Sequence, residues 1–319
     1  MPDRGGSRRD GGMHRREYEK RVNRAIDHIR SHLADELTLA GLARVAAFSP
    51  FHFHRVFKAI TRETVFGFVQ RLRIERAAVA LTIHPESSVL AVALDHGFAS
   101  AATFARAFRA HFGMSATEWR DGGAARWRTR ERNPGKQVRK TSKARSLGSS
   151  HTERRRKEGR TMAVHVRDLP TYHVAYMRYV GPYGVHGIPE LWQKFTRWME
   201  THGLATEGAI KLGVAYDDPS VTPPEKCRYD ACVVVPASFT ADRMVNIADL
   251  PGGRCAVSEF TGTARDIEAA WEHVFAAWLP GSGYEPDDRP CFEIYRGQPG
   301  LAGKSGVFRC ELCLPVRPV

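Results

Sequence analysis

Residues 48–57 read FSPFHFHRVF, with His52 and His54 beside Arg55 among four phenylalanines. Paired histidines serve as metal ligands or proton-transfer bases when their rings converge on one point. On a helix, residues two apart point about 200° from each other, so these two cannot share a metal. The second chemical candidate is Glu293, the acid within CFEIY at 291–295. Strand alternation puts Cys291, Glu293 and Tyr295 on one face, Phe292 and Ile294 on the other. A carboxylate held among aromatic rings receives an organic cation by charge and ring-face attraction; on an edge strand it is only a charge facing water. Cys310 and Cys313 have the spacing of half a zinc or redox pair, but strand residues three apart face opposite sides and no second pair exists, so structural thiols are expected. No Ser/His/Asp or Cys/His set stands in a recognisable context, and no glycine loop could cradle phosphate. No catalytic residue, cofactor or metal is therefore expected.

The elements that position these residues follow from length and charge. A chain of 319 residues, 42% of them apolar, exceeds one small domain and suggests two of roughly 100 to 150 residues. Apolar runs such as CVVV at 232–235 fall far short of the roughly 18 residues a membrane span needs, and the Arg-rich N-terminus is no signal peptide. The six cysteines form no dense framework and read as reduced thiols, which places the protein in the cytoplasm, away from membranes. Charge is uneven: residues 1–125 carry 19 Lys/Arg against 13 Asp/Glu, and residues 161–319 carry 15 against 19. Between them, residues 126–160 carry 14 against 3 and almost no periodic apolar residue. That stretch reads as a disordered tether, either a spacer or an arm lying along phosphates. The expected organisation is an all-α domain at 15–122, a basic disordered linker at 123–161 and an α+β domain at 162–319.

The first domain repeats itself, LTLAGLARVAAFSPFHFHRVFKAI at 37–60 matching SVLAVALDHGFASAATFARAFRAHF at 88–112. In each copy a short helix (Leu39 to Ala47, Val89 to Asp95) leads through a turn at Phe48 or Gly97-Phe98 into a second helix. Ser49-Pro50 and Ser100 start those second helices by capping free amides. Phe53 and Phe57, like Phe104, Phe108 and Phe112, recur at helical spacing and face inward, which leaves Phe51, His54 and Arg55 outward. This is a helix-turn-helix layout, given twice, whose second helices fit a major groove. Between the copies, residues 66–84 predict one amphipathic helix of about 19 residues and roughly 28 Å, close to one DNA turn.

Over about residues 18–120 the chain resembles the AraC/XylS family of bacterial transcription regulators, most specifically in DHGFASAATFARAFRAHFGMSATEWR. The resemblance implies base-reading roles for Phe51, His54 and Arg55 on the first recognition helix and for Thr103 and Arg106 on the second. Departures are Ala116 and Val65, where the family usually has proline, and Arg62 in place of the first copy's glycine. Ala101, Ala102 and Ala105 replace polar residues of the second recognition helix, which points it toward thymine methyls and groove shape.

The second domain is also duplicated, with an Asp-Leu-Pro corner at 168–170 and again at 249–251. A β-β-α-β-β order given twice predicts antiparallel sheet with helices on one face and pseudo-two-fold symmetry. WLPGSGYEPDDRPCFEIYRG at 278–297 and VGPY at 180–183 make residues 162–317 similar to the GyrI-like small-molecule-binding domain. The resemblance implies that Glu293 sits in an aromatic pocket for bulky, often cationic, apolar compounds, with Tyr183, Trp192, Tyr216, Trp271, Trp278 and Tyr295 as candidate walls. Val214 is read as the first repeat's counterpart of Glu293.

Together these readings describe a non-enzymatic, ligand-responsive transcription regulator, nucleoid-associated, with double-stranded DNA and a small-molecule effector as partners. RNA polymerase stays open as a further one. Two alternatives remain: a hydrolase of small electrophiles in which the pocket glutamate activates water, and a gyrase-interacting inhibitor module.

Overall fold

The structure, a computed structural model, describes residues 7–131, 162–184, 186–295 and 306–319. Its first part is helical: α1 (Ser7–Ser31), α2 (Leu39–Val45), α3 (Pro50–Thr61), α4 (Val65–Ile83), α5 (Val89–Asp95), α6 (Ala101–Phe112), a single turn α7 (Ala116–Glu118) and α8 (Ala124–Glu131). Hydroxyl side chains set the starts. Thr38, Ser49, Thr64, Ser88 and Ser100 each accept from the amide three residues on, satisfying a donor the helix leaves free.

The two helix-turn-helix copies close by one scheme. The Phe48 amide donates to the Ala43 carbonyl at 2.9 Å and the Phe98 amide to Ala93 at 3.0 Å. Before each phenylalanine stands a left-handed residue, Ala47 in one copy and Gly97 in the other. Likewise α3 ends on left-handed Arg62, where α6 ends on Gly113. The first copy thus carries two side chains in a conformation that costs a non-glycine residue about 1 kcal/mol or more.

The connector α4 is not the single-striped helix expected of it. Val65, Phe68, Val69 and Leu72 pack with α1, α2 and α3, whereas Ile74, Ala77, Ala78 and Leu81 pack with α5, α6 and Trp119. At about 100° per residue these two stripes lie about 180° apart on the helix. The start of the predicted linker is helical rather than disordered. Residues 124–131 are helical because Trp127 supplies an apolar anchor, its ring 5.1 Å edge-on to Phe112. The rest of the predicted linker, 132–161, lies outside the described residues.

The second part is one antiparallel sheet of β1 (Val164–Leu169), β2 (Tyr172–Val180), β3 (Lys211–Ala215), β4 (Arg228–Val234), β5 (Asn246–Leu250), β6 (Gly253–Gly262), β8 (Cys291–Tyr295) and β9 (Phe308–Pro318). A short β7 (Tyr284–Pro286) pairs with the end of β9. The order β1-β6-β9-β8-β3-β4-β2-β5 reads the same from either end when the repeats are exchanged, so a pseudo-two-fold axis passes between β3 and β8. Each repeat gives its first strand to the other's side of the sheet. Helices α9 (Ile188–Thr201) and α10 (Ile267–His273) cover one face, where Leu191, Trp192, Phe195 and Met199 meet Met177, Tyr229 and Leu312. Cys310 lies on this face and Cys313 on the opposite one, as the alternation required.

The opposite face receives the helical half. Arg178 on β2 donates to Asp230 of β4 at 2.8 and 2.7 Å and to Asp27 of α1 at 2.8 Å, and the Tyr176 hydroxyl also donates to Asp27. The Arg30 guanidinium lies 3.6 Å from the Tyr216 ring centroid. The loop between β3 and β4 reaches α4: Val221 enters the apolar cluster around α6, Thr222 donates to Glu75 at 2.9 Å, and Lys226 pairs with Glu63. Burial pushes the Glu75 carboxyl up to about 7, with Arg71 opposing the rise.

Replacing exposed Arg62 by glycine removes the left-handed penalty at little loss of contact. Arg62→Gly is expected to stabilise the chain by about 0.5 to 1 kcal/mol, read as a higher denaturation midpoint at unchanged slope.

Candidate functional site

Two surfaces carry the residues singled out by sequence. On α3, Phe53 and Phe57 are buried and hold the helix, so Phe51, His52, His54 and Arg55 turn outward. Phe51 is 67% exposed, with the Arg55 guanidinium 5.6 Å from its ring centroid. His52 is tied to its own cap, its Nδ1 3.0 Å from Ser49 Oγ. On α6, Phe104, Ala107, Phe108 and Phe112 face inward while Ala102, Thr103, Ala105 and Arg106 are exposed. Thr103 Oγ1 stands 3.1 Å from the capping hydroxyl of Ser100, at the helix start. Docking of the sheet onto α1 and α4 leaves both outer faces uncovered.

The second surface is built around Glu293 on β8, which faces α9 and α10 and is 7% exposed. Its Oε2 accepts from the Tyr295 hydroxyl at 2.7 Å and the Tyr229 hydroxyl at 3.0 Å, and its Oε1 accepts from Trp271 Nε1 at 3.3 Å. Trp192 Nε1 donates in turn to Tyr229 at 3.3 Å, its ring 5.3 Å from that of Tyr295. All three direct partners are neutral, and no Lys, Arg or His among the described residues pairs with this carboxylate. Burial raises its pKa above the usual range, although the hydrogen bonds oppose the rise.

The register explains how the site finds room. Glu293 is directly opposite Gly213 on β3, while Val214 is opposite Phe292 on the other face, so Val214 is not the counterpart of Glu293. A Cβ on Gly213 would stand 1.9 Å from the Tyr229 hydroxyl and 2.7 Å from Glu293 Oε2. The glycine is there because two polar groups occupy the space above it.

Of the residues expected around Glu293, the structure brings Tyr295, Trp271 and Trp192 together. Tyr183 comes within 6.3 Å of the Tyr229 ring, but its hydroxyl points away and donates to the Arg228 carbonyl at 2.6 Å. Tyr216 lies on the opposite face under Arg30, and Trp278 stacks on Tyr284. Tyr229 was overlooked in the sequence; its place opposite the carboxylate becomes visible only once β4 is set beside β3.

Residues 162–317 match the GyrI-like small molecule binding domain and residues 42–122 a helix-turn-helix domain. YosT, an SPbeta prophage-derived protein of Bacillus subtilis (strain 168) named as a transcriptional regulator, is 36% identical over 156 residues, covering 49% of this chain and 100% of YosT. A DNA gyrase inhibitor of Cronobacter turicensis is 31% identical over 155 residues, 48% of this chain and 95% of that protein. Among solved structures, a DNA-binding transcriptional dual regulator from Escherichia coli K-12 aligns over 33% of this chain and 94% of that chain, at 26% identity and a TM-score of 0.30. None of the described helices is long and apolar enough to cross a membrane.

Gly213→Ala is expected to destabilise the chain by about 1 to 3 kcal/mol by overpacking and to alter tryptophan emission through Trp192 and Trp271. Denaturation followed by fluorescence checks both, and an unperturbed variant would show that Tyr229 does not occupy this space.

Proposed function

Because the chain belongs to the AraC-type transcriptional regulators that carry a GyrI-like small-molecule-binding domain, we propose that α3 and α6 read successive major grooves of duplex DNA while Glu293 senses a bulky aromatic cation. The observation that carries the sensing half is a buried carboxylate with three neutral donors and no cationic partner among the described residues. Burying a charge without its counter-ion is costly. A ligand cation flanked by Trp271 and the tyrosines would supply the counter-ion and gain ring-face attraction as well.

The DNA-reading half rests on two solvent-facing helices of equal construction, each with an arginine on its outer face. Arginine pairs bidentately with guanine in the major groove, and each such contact discriminates by about 1 to 3 kcal/mol. On a site selected from random duplexes, Arg55→Ala and Arg106→Ala should each lose about that much, with smaller losses on nonspecific DNA. Footprinting checks the geometry: protection of a single major groove would sink the two-helix reading.

For the pocket, Glu293→Gln keeps size and removes charge. Calorimetric titration with tetraphenylphosphonium should show a marked loss in the variant, while a neutral tetraphenyl compound binds both proteins alike. The charge also fixes the pH dependence. The free carboxyl titrates above its usual range and the cation needs it ionised, so affinity for tetraphenylphosphonium rises as pH climbs through that range and falls below it. Equal affinity of both proteins for the cation at every pH would remove Glu293 from the recognition.

A further inference from the structure

A continuous line of contacts leads from the Glu293 carboxylate through the sheet to a recognition helix. Tyr229 donates to Glu293 at 3.0 Å, and its ring lies edge-on to Tyr183 with centroids 6.3 Å apart. The Tyr183 hydroxyl is doubly engaged: it donates to the Arg228 carbonyl at 2.6 Å and accepts from the Asp217 amide at 3.2 Å. Asp217 in turn holds the Arg228 side chain, accepting from its Nε at 2.8 Å and from its backbone amide at 2.8 Å. Because β4 alternates, Tyr229 faces the pocket while Arg228 projects from the opposite face. There its guanidinium sits 5.6 Å from the centroid of Phe68 on α4, and the Phe68 ring meets that of Phe57 on α3 edge-on at 5.4 Å.

Each link in this line has few alternatives. Arg228 is 3% exposed and its Nη1 has no hydrogen-bond partner, so Asp217 and the phenylalanine face fix the group. Phe57 is fully buried in the core against which α3 packs. Close-packed interiors do not deform continuously, so a shift at one end is passed on as a discrete rearrangement. The polar pieces, Tyr183, Asp217 and Arg228, lie midway along the line.

We propose that Tyr183 is a coupling residue, transmitting the state of the Glu293 pocket through Arg228 and Phe68 to recognition helix α3, while α6 is left largely unaffected. This rests on the reading of Glu293 as the sensing residue and adds to it the route by which sensing reaches DNA. Helix α6 packs with the far stripe of α4 and with Trp119, away from Phe68, and meets the β3–β4 loop at Val221 rather than at Arg228. The pocket would therefore retune one half-site rather than switch the whole reader off.

Amide hydrogen exchange on the full chain tests this without an effector or an operator. The pocket is perturbed by Glu293→Gln and, independently, by Tyr229→Phe, each alone and combined with Tyr183→Phe. Either pocket variant should change exchange over residues 57–72 by about fivefold or more, the lower end of usual coupling between sites, and leave α6 at its wild-type rate. Adding Tyr183→Phe should abolish the change over 57–72 while the change in α9 and α10 persists. Wild-type exchange over 57–72 in both pocket variants, or an undiminished change in the Tyr183→Phe background, would overturn the proposal. A failure of tetraphenylphosphonium to bind would count against the sensing reading alone, because these exchange differences arise from the substitutions.

Discussion

The guanidinium of Arg178 is the point at which the two halves of the chain become one structure. Its side chain is 2% exposed and lies between Asp230, fully buried on the neighbouring strand, and Asp27, brought by α1. Burial alone would lower the Arg178 pKa; the two carboxylates reverse this and hold it well above the ordinary value. Such buried ion pairs contribute little net stability, because desolvation offsets much of the attraction, but removing one partner is costly. A misplaced α1 would leave a buried charge short of its partner, so the docked orientation is specified more sharply than apolar packing alone would specify it.

From that fixed contact the sheet acts as a plate between two environments. On one side α9, α10 and the tyrosines enclose a carboxylate whose hydrogen-bond donors are neutral aromatic side chains; on the other, ions and an arginine–tyrosine stack receive α1 and α4. Strand β4 joins the two by alternation, with Asp230 and Arg228 on one side and Tyr229 between them on the other. The same docking leaves the outer faces of α3 and α6 exposed, so nothing in the packing of the halves hides them from a partner.

Local signals made the helical half legible. Hydroxyl caps, the proline at the start of α3, the Gly97-Phe98 turn and the phenylalanine spacing each act within a few residues of the chain, so they can be read without knowing what lies opposite. The duplication of the sheet domain was legible for the same reason, since corner and strand order recur. What escaped depends on pairing. Gly213 and Val214 differ by one residue, which in a strand is the difference between two faces, and only register decides between them. Tyr216 shares the face of Val214 and so parts company with Glu293. The two stripes of α4 cancel when averaged over the helix and look like weak amphipathicity. The basic stretch after residue 126 suggested independent halves, and no local pattern announced that Asp27 and Arg178 would meet across 151 positions.

The opposed stripes of α4 set a rule for how this molecule can vary. One residue inserted near Ile74 would turn the second unit by about 100° relative to the first and strip one apolar row from its core. Restoring the phase takes about seven residues, two turns, which lengthens the helix by roughly 10 Å, close to a third of a DNA turn. Helical phase and duplex pitch therefore cannot both be met by any small change. If α3 and α6 read DNA as proposed, the connector is confined to one length, and descendants of this chain would be free to alter the outer faces of the two helices but not how far apart they stand.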